Sequence, residues 1–378
     1  MTARPTMLIL SYSPIVGDAR VLKQVSRFTR DFDVTTCGYG PAPDGVVEHI
    51  SIPGDQRYSD LDGKLITLKL YRRAYWRLSA VRWSREHLRR RRFDVVIAND
   101  VEAVPVAVEL RPRKGVLADL HEYSPRLHDD DPAWLARIAP WFDWVVRRYV
   151  TKADAWTTVS RGIVDEYERR YGIHAELVTN AAPYQQLAPS PVHEPLRLVH
   201  SGACLRKRHL HIMAEAVEAA SNDVTLDFYL TANDPQYLQE LKDFAARSDR
   251  ITVHDPVPYA ELVATLNAFD VGIFVLPPTN SNYRLALPNK LFDFVQARLG
   301  VLIGPSAEMT YYLDRYQLGE VAEDFTVAAT TAAIEGLDAT SVARFKANAD
   351  RSAEELAGER QVDVWDRLIT GLMSSSSR

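Results

Sequence analysis

The sequence predicts an α/β protein made of two tandem units, each a parallel sheet with helices on both faces. Short β-branched runs alternate with longer helical patterns, as in strand-helix-strand crossovers. That grammar stops at a polar, proline-containing stretch and begins again beyond it. The chain has 378 residues. At about 100 to 200 residues per domain, this allows two cores without disulfides or structural metal.

In the first half, Met7 to Leu10 reads as a strand running into a turn that holds Pro14, Gly17 and Asp18. Val21, Leu22, Val25 and Phe28 then recur at helical spacing. Further strands read at residues 34–37, 95–98, 116–118 and 156–159, the last followed by a helix over 163–171. The segment from Leu177 to Pro183 closes this half. After Pro189, Pro191 and Pro195, strands read at 196–200, 226–230, 251–254, 271–275 and 301–303, with a helix near 209–220. The predicted division is 1–183, 184–355, and 356–378 as a C-terminal helix with a polar tail that packs back on the first half. Two such Rossmann-like halves are expected to face each other across a cleft, with ligands beyond the carboxyl ends of the strands.

Hydrophobic residues make up 46% of the chain and charged residues 25%, which excludes a disordered protein. Cys37 and Cys204 fall in different halves and read as free thiols in a reducing compartment. The apolar start is broken at Ser11, too early for a signal segment, and no stretch approaches 18 uninterrupted apolar residues. The expectation is a cytoplasmic protein, peripheral to a membrane at most.

The net charge of −5 is an average over an uneven distribution. From Lys69 to Arg92 ten cations face the single acid Glu86, giving +9 and leaving −14 over the other 354 residues. Tyr71, Tyr75, Trp76, Leu78, Val81, Trp83 and Leu88 interleave, the pattern of a basic amphipathic helix. Two readings stand side by side: docking on an anionic membrane surface or an anionic acceptor, and a solvated helix whose apolar face packs on the first half. Nucleic acid is not expected, because no recognition motif accompanies the charge. Trp134, Ile138, Trp141, Val145 and Tyr149 form a second helical stripe, expected to be buried.

Two segments of the second half carry chemistry. In His200-Ser201-Gly202-Ala203-Cys204-Leu205-Arg206-Lys207-Arg208 a strand ends, a glycine permits close backbone approach, and three cations precede a helix. This suits a diphosphate, and a solvated basic turn explains the triplet equally well. In Leu287-Pro288-Asn289-Lys290-Leu291-Phe292-Asp293-Phe294-Val295 the proline suits the first helical position, and the amides of a helix start attract phosphate. Lys290 adds a full charge there. Asp293, one turn on, is placed to accept from ribose hydroxyls or simply to complement the helix dipole.

Together these segments resemble the nucleotide-binding half of a GT-B glycosyltransferase of family 4. The turn from Gly202 to Arg208 resembles the family's glycine-plus-basic segment, and the stretch from Leu287 to Ile303 resembles its donor helix and following strand. Asp154-Ala155-Trp156-Thr157-Thr158-Val159-Ser160 is similar to a family strand, Asn180 to Pro183 to its exit towards the second domain, and Tyr316 to Phe325, with Gly319, to its closing segment. The resemblance spans nearly the whole chain. It implies transfer of a sugar from a nucleotide diphosphate sugar, most commonly of UDP, to a glycan, lipid-linked or secondary-metabolite hydroxyl, with retention and without a metal or other cofactor. Arg208 and Lys290 would hold the diphosphate beside Gly202, Arg206 and Asn289, and Asp293 the ribose.

The departures are specific. The first of two family glutamates falls at Leu285 and the second at Asp293, while the glycine after the donor helix falls at Arg298 and the proline at Gly300. These keep open a non-catalytic nucleotide-sugar binding partner and a sugar-nucleotide epimerase of related architecture.

In the first half, Asp119-Leu120-His121-Glu122-Tyr123 opens a loop at a strand's carboxyl end. By resemblance this segment lines the site near the transferred sugar, with His121 bonding a sugar hydroxyl or relaying a proton and Glu122 orienting it. The loop holding Gly17, Asp18 and Arg20 is placed by resemblance over the donor phosphates or acceptor; a helix-capping Asp18 with a surface Arg20 explains it equally well. Asn99 and Asp100 also end a strand and are expected to face the cleft. Asp60-Leu61-Asp62 has the Asp-x-Asp form of metal-dependent transferases, but it lies in a loop, and no Cys/His spacing supports zinc.

Overall fold

Every neighbouring strand pair in the computed structural model, which describes residues 4–375, is parallel. The end of the expected polar tail, Ser376 to Arg378, lies outside the described residues, as do Met1 to Ala3. The first sheet contains β1 (Thr6–Pro14), β2 (Asp33–Tyr39), β3 (Glu48–Ser51), β4 (Val95–Asn99), β5 (Gly115–Leu120), β6 (Ala155–Thr158) and β7 (Glu176–Leu177), in the order β3-β2-β1-β4-β5-β6-β7. The second contains β8 (Leu196–Ala203), β9 (Val224–Thr231), β10 (Ile251–His254), β11 (Val271–Phe274), β12 (Gly300–Ile303) and β13 (Gly319–Val321), in the order β10-β9-β8-β11-β12-β13. Both repeat the Rossmann order, as the sequence predicts. In each, the strand order reverses beside the first strand, so a crevice opens at the carboxyl ends of β1 and β4 and of β8 and β11.

Residues up to Thr179, with Asn280–Asn282 and those from Gln361 on, form one unit; Asn180–Thr279 and Tyr283–Arg360 form the other. These bounds differ by a few residues from those read at 183 and 355, because strand pairing rather than proline content ends the first sheet. The Val178 amide still donates to the Thr158 carbonyl at 2.8 Å.

In the first unit, Val21, Val25 and Phe28 of the Ala19–Phe28 helix pack on Met7, Ile9 and Val34. Asp18 caps that helix by accepting from the Arg20 and Val21 amides, a cap worth about 1 kcal/mol. Trp365, Ile369 and Leu372 of the Gly358–Ser374 helix join the same core. In the second unit the sheet is buried on both faces. Met213 and Val217 of the His211–Ala219 helix cover one side, and Leu291, Phe294 and Val295 of the Asn289–Gln296 helix the other. Two-sided burial is why these strands read as continuous apolar runs.

Three local expectations change. The run from Lys69 to Arg92 is two helices, Tyr71–Arg77 and Ser79–Leu88, separated at Leu78, whose ψ of 128° is extended. The break lets Tyr75 and Leu78 on one side and Val81 and Leu88 on the other all reach the interior. The aromatic stripe is likewise split into helices Pro132–Arg137 and Ala139–Arg148, where Pro140 has no amide to continue the first. Its Trp141 and Val145 are buried, whereas Trp134 is only half-buried. Pro288 sits just outside the Asn289–Gln296 helix as its cap rather than at its first position. Among the described residues no helix is long and apolar enough to cross a membrane.

Candidate functional site

Each unit gathers predicted residues at its own reversal point. In the second unit β8 reaches Gly202, whose φ of 129° lies where glycine alone is comfortable. A Cβ there would fall 2.3 Å from Lys290 Nζ and 3.8 Å from Arg208 Nη1. The missing side chain is therefore what lets an amine and a guanidinium meet one stretch of backbone. Lys290 stands in the first turn of the Asn289–Gln296 helix, and Pro288 offers that turn no side-chain cap, leaving its first amides for another acceptor. The helix lies against β11 because position 272 is glycine: a Cβ there would sit 2.3 Å from the Phe294 ring.

Burial, and after it Arg208, pushes the Lys290 amine down to about 8. The Arg208 Nε is buried without a hydrogen-bond partner. Two partly desolvated cations that repel each other are stabilised by an anion placed between them and the helix start. Asp293, one turn further, is buried, and the Tyr259 hydroxyl donates to its Oδ1 at 3.4 Å. Below them His200 stacks on Phe274, with ring centroids 5.6 Å apart, and Lys290 Nζ lies 5.5 Å from the same ring. His200 Nδ1 lies 2.9 Å from the Ile273 carbonyl, so that nitrogen is assigned the proton. Burial, then Lys290, pushes its imidazole down to about 3 and keeps it neutral.

In the first unit the fully buried Asp119 ends β5. It accepts from Arg20 Nε at 2.7 Å and Nη2 at 2.6 Å, from Gln24 Nε2 at 2.7 Å and from Thr157 Oγ1 at 2.6 Å. Arg20 also donates to the Val178 carbonyl at 2.7 Å, and its guanidinium lies 5.0 Å from the Trp365 ring. Only 5% exposed, Arg20 is a buried bidentate partner, which overturns its reading as a surface residue. Burial alone would raise the Asp119 carboxyl, but Arg20 and His121 outweigh it and hold it well below the usual range.

The His121 amide donates to Asp100 Oδ1 at 2.9 Å. Its ring places Nδ1 3.4 Å from Asp100 Oδ2 and Nε2 3.4 Å from Asp119 Oδ2, with Asn99 Oδ1 at 3.2 Å from Nε2. Desolvation disfavours the imidazolium, yet Asp100 and Asp119 prevail and push it up to about 9. At neutral pH His121 is thus a charged hydrogen-bond donor. Beside it lies a cavity of about 140 Å³ bordered by Ser11, Ser13, Tyr58, Asp100, Glu102 and Glu122. Burial, then Asp100, pushes Glu102 up to about 8 and Glu122 up to about 7, although the Glu122 side chain still reaches solvent.

A pH dependence follows. Both Glu102 and His121 bind protons more tightly folded than unfolded, so their contribution is present at low pH. It is lost between 4.5 and about 8 for Glu102 and between 6.5 and about 9 for His121. The thermal midpoint is expected to fall from pH 6.5 to pH 9 by calorimetry, and Glu102→Gln to flatten that fall. An unchanged slope in the variant would remove Glu102 from the account.

The structure brings Gly202, Arg208, Lys290 and Asp293 together in one unit, and Arg20, Asn99, Asp100, His121 and Glu122 in the other. Other candidates stand apart. Arg206 is half-exposed and held by Glu240 through two bonds of 2.8 and 2.7 Å, stacked over Tyr237. Asn289 is exposed at the helix start. A Cβ on Gly17 would meet nothing nearer than Pro14 at 4.0 Å, and Asp18 is occupied by its helix cap and by Ser13 Oγ at 2.8 Å. Asp62 similarly caps the Gly63–Thr67 helix. Gln24, Glu102, His200 and Gly272 were not singled out from the sequence. Gln24 had a signal, since it lies one turn from Arg20 inside an apolar stripe.

Comparison with known proteins agrees with this architecture. Residues 22–181 match the model of Glycosyltransferase Family 4. No curated protein matches the chain. Among solved structures, sucrose-phosphate synthase of Thermosynechococcus elongatus superposes with a TM-score of 0.71 at 13% identity, covering 99% of this chain and 100% of that one. HepE of Anabaena, in complex with UDP and glucose, gives 0.69 at 12%, covering 97% and 100%. A glycosyltransferase of Rickettsia africae gives 0.69 at 10%, covering 99% and 100%. The chain thus has the two-sheet fold of these glycosyltransferases over its length, and its residues 22–181 are similar to Glycosyltransferase Family 4.

Proposed function

We propose that this protein is a glycosyltransferase that moves a sugar from a UDP-sugar to a hydroxyl of a glycan, lipid-linked or secondary-metabolite acceptor, with retention and without a metal. The observation that carries the reading is the cation pair at Gly202, in which Lys290 and Arg208 lie against bare backbone at a helix start. As the glycosidic bond breaks, negative charge grows on the departing nucleoside diphosphate. Preorganised cations and helix amides aimed at that charge lower the barrier without a metal. Asp293 accepts from the ribose hydroxyls. The His121 imidazolium donates to a hydroxyl of the transferred sugar, and the cavity beside Glu102 and Glu122 takes the acceptor. UDP is favoured because HepE of Anabaena holds UDP and glucose. Retention rests on the family resemblance.

Titration calorimetry with UDP, GDP, ADP and dTDP, followed by assay of UDP-glucose with and without acceptors, tests this. UDP is expected to bind most tightly and sugar to appear on an acceptor. Binding without transfer or hydrolysis would favour the non-catalytic reading that Leu285, at the position of an expected glutamate, keeps open. Sugar isomerisation without acceptor would favour the epimerase, and no affinity for any diphosphate would sink the assignment.

A further inference from the structure

We infer that the first unit carries a docking surface for an anionic lipid bilayer, on the outer side of the Val104–Leu110 helix. Two depressions adjoin there, of about 840 and 620 Å³, both bordered by Trp76, Arg85, Glu109 and Arg111. Ten cations line them against two acids, Glu86 and Glu109. Arg85 is taken up by Glu109 at 2.6 Å. Among the described residues, Lys69, Arg72, Arg73, Arg82, Arg89 and Arg92 have no acidic partner.

The cations are spread over the Tyr71–Arg77 and Ser79–Leu88 helices, the chain flanking them, and residues Arg111, Arg148 and Lys152, so they make a broad field rather than a pocket for one phosphate. An apolar element stands inside that field. Leu68 is 67% exposed and Leu70 38%, on either side of Lys69, whose φ of 55° marks the turn between the Gly63–Thr67 and Tyr71–Arg77 helices. Tyr71 and Trp144 pack at 6.1 Å at the same edge. Exposed leucines framed by cations and by Trp and Tyr are the composition of an interfacial anchor, in which apolar tips enter the bilayer boundary and cations meet the headgroups. A polyanionic glycan or nucleic acid would leave those leucines in water.

The position within the unit favours a surface over an acceptor's own phosphate. Arg111 and Lys152 stand just before β5 and β6 begin, whereas His121 follows the end of β5, a strand about 20 Å long. The basic depressions share no bordering residue with the acidic cavity beside His121.

Flotation of the full chain with phosphatidylcholine vesicles, with and without phosphatidylglycerol and without donor or acceptor, tests the assignment independently of turnover. Binding is expected only with phosphatidylglycerol and should weaken with salt. Arg72→Gln combined with Arg73→Gln should bind about 30-fold less tightly, from two cations at the surface. Leu68→Ser with Leu70→Ser should abolish the binding that survives high salt. All four side chains are exposed, so both variants should melt as the parent does. Equal binding to neutral vesicles, no binding to anionic ones, or parental binding by both variants would overturn the inference. Retention on heparin without vesicle binding would overturn it in favour of a soluble polyanion.

Discussion

Lys290→Met is expected to lower kcat/KM for sugar transfer by about 10²- to 10³-fold, the loss typical of one preorganised group facing transition-state charge. Arg208→Met should do the same, and the double variant should lose less than the product of the two, since in the proposed reaction both face one diphosphate. Stability should move the other way. The Lys290 amine, pushed down to about 8 by burial and Arg208, is strained when charged, so at pH 7 its removal relieves a repulsion. A thermal midpoint equal to or above the parent's, together with the lost turnover, separates a functional lesion from a folding one. Turnover within threefold of the parent would remove Lys290 from the chemistry, threefold being roughly 0.7 kcal/mol.

Arg20→Met is expected to destabilise the first unit by about 3 to 5 kcal/mol, because it leaves Asp119 as a buried carboxylate without its guanidinium. Gln24, Thr157 and His121 remain as donors, but none supplies a fixed bidentate charge. The same change strips the cation from the Trp365 face and loosens the C-terminal helix. All seven tryptophans belong to the first unit, so urea unfolding followed by tryptophan fluorescence reads this unit alone. Arg20→Met combined with Asp119→Leu should recover much of the stability, since an apolar pair of similar volume replaces the ion pair. It should also return the His121 imidazole towards its ordinary range, visible as a histidine titration by NMR. A loss under about 1 kcal/mol for Arg20→Met would show that the neutral donors suffice.

The sequence made the interior strands legible because burial on both faces writes them as apolar runs ending in turn residues. β3 and β13 escaped that signal. Each lies at a sheet edge, and β3 buries only Ile50 of its four residues. The break at Leu78 was illegible for the opposite reason: helical periodicity continues through it while the backbone does not. In the second unit the residue types and their order led to Gly202, Lys290 and Arg208, and these three do meet. In the first unit the meeting of Asp100, Glu102 and Glu122 is a product of parallel pairing between β4 and β5, which aligns Asn99 with Asp119 and brings the two following loops together. No spacing along the chain announces that. Arg20 and Gln24 were readable as polar residues in an apolar stripe, but their shared partner, Asp119, lies about a hundred residues away.

Arg298, where the resemblance expects a glycine, stands at a φ of 61°, in the left-handed region that favours glycine. Its side chain is fully buried, bound to Asp350 at 2.6 Å and to the carbonyls of Gln296 and Gln185 at 2.7 and 2.8 Å. The residue that departs from the expected glycine therefore ties the end of the Asn289–Gln296 helix to two other segments of the chain. A profile built on a glycine there would penalise this helix at a point where its end is tied to the rest of the chain, so divergence at that position is a poor proxy for loss of structure.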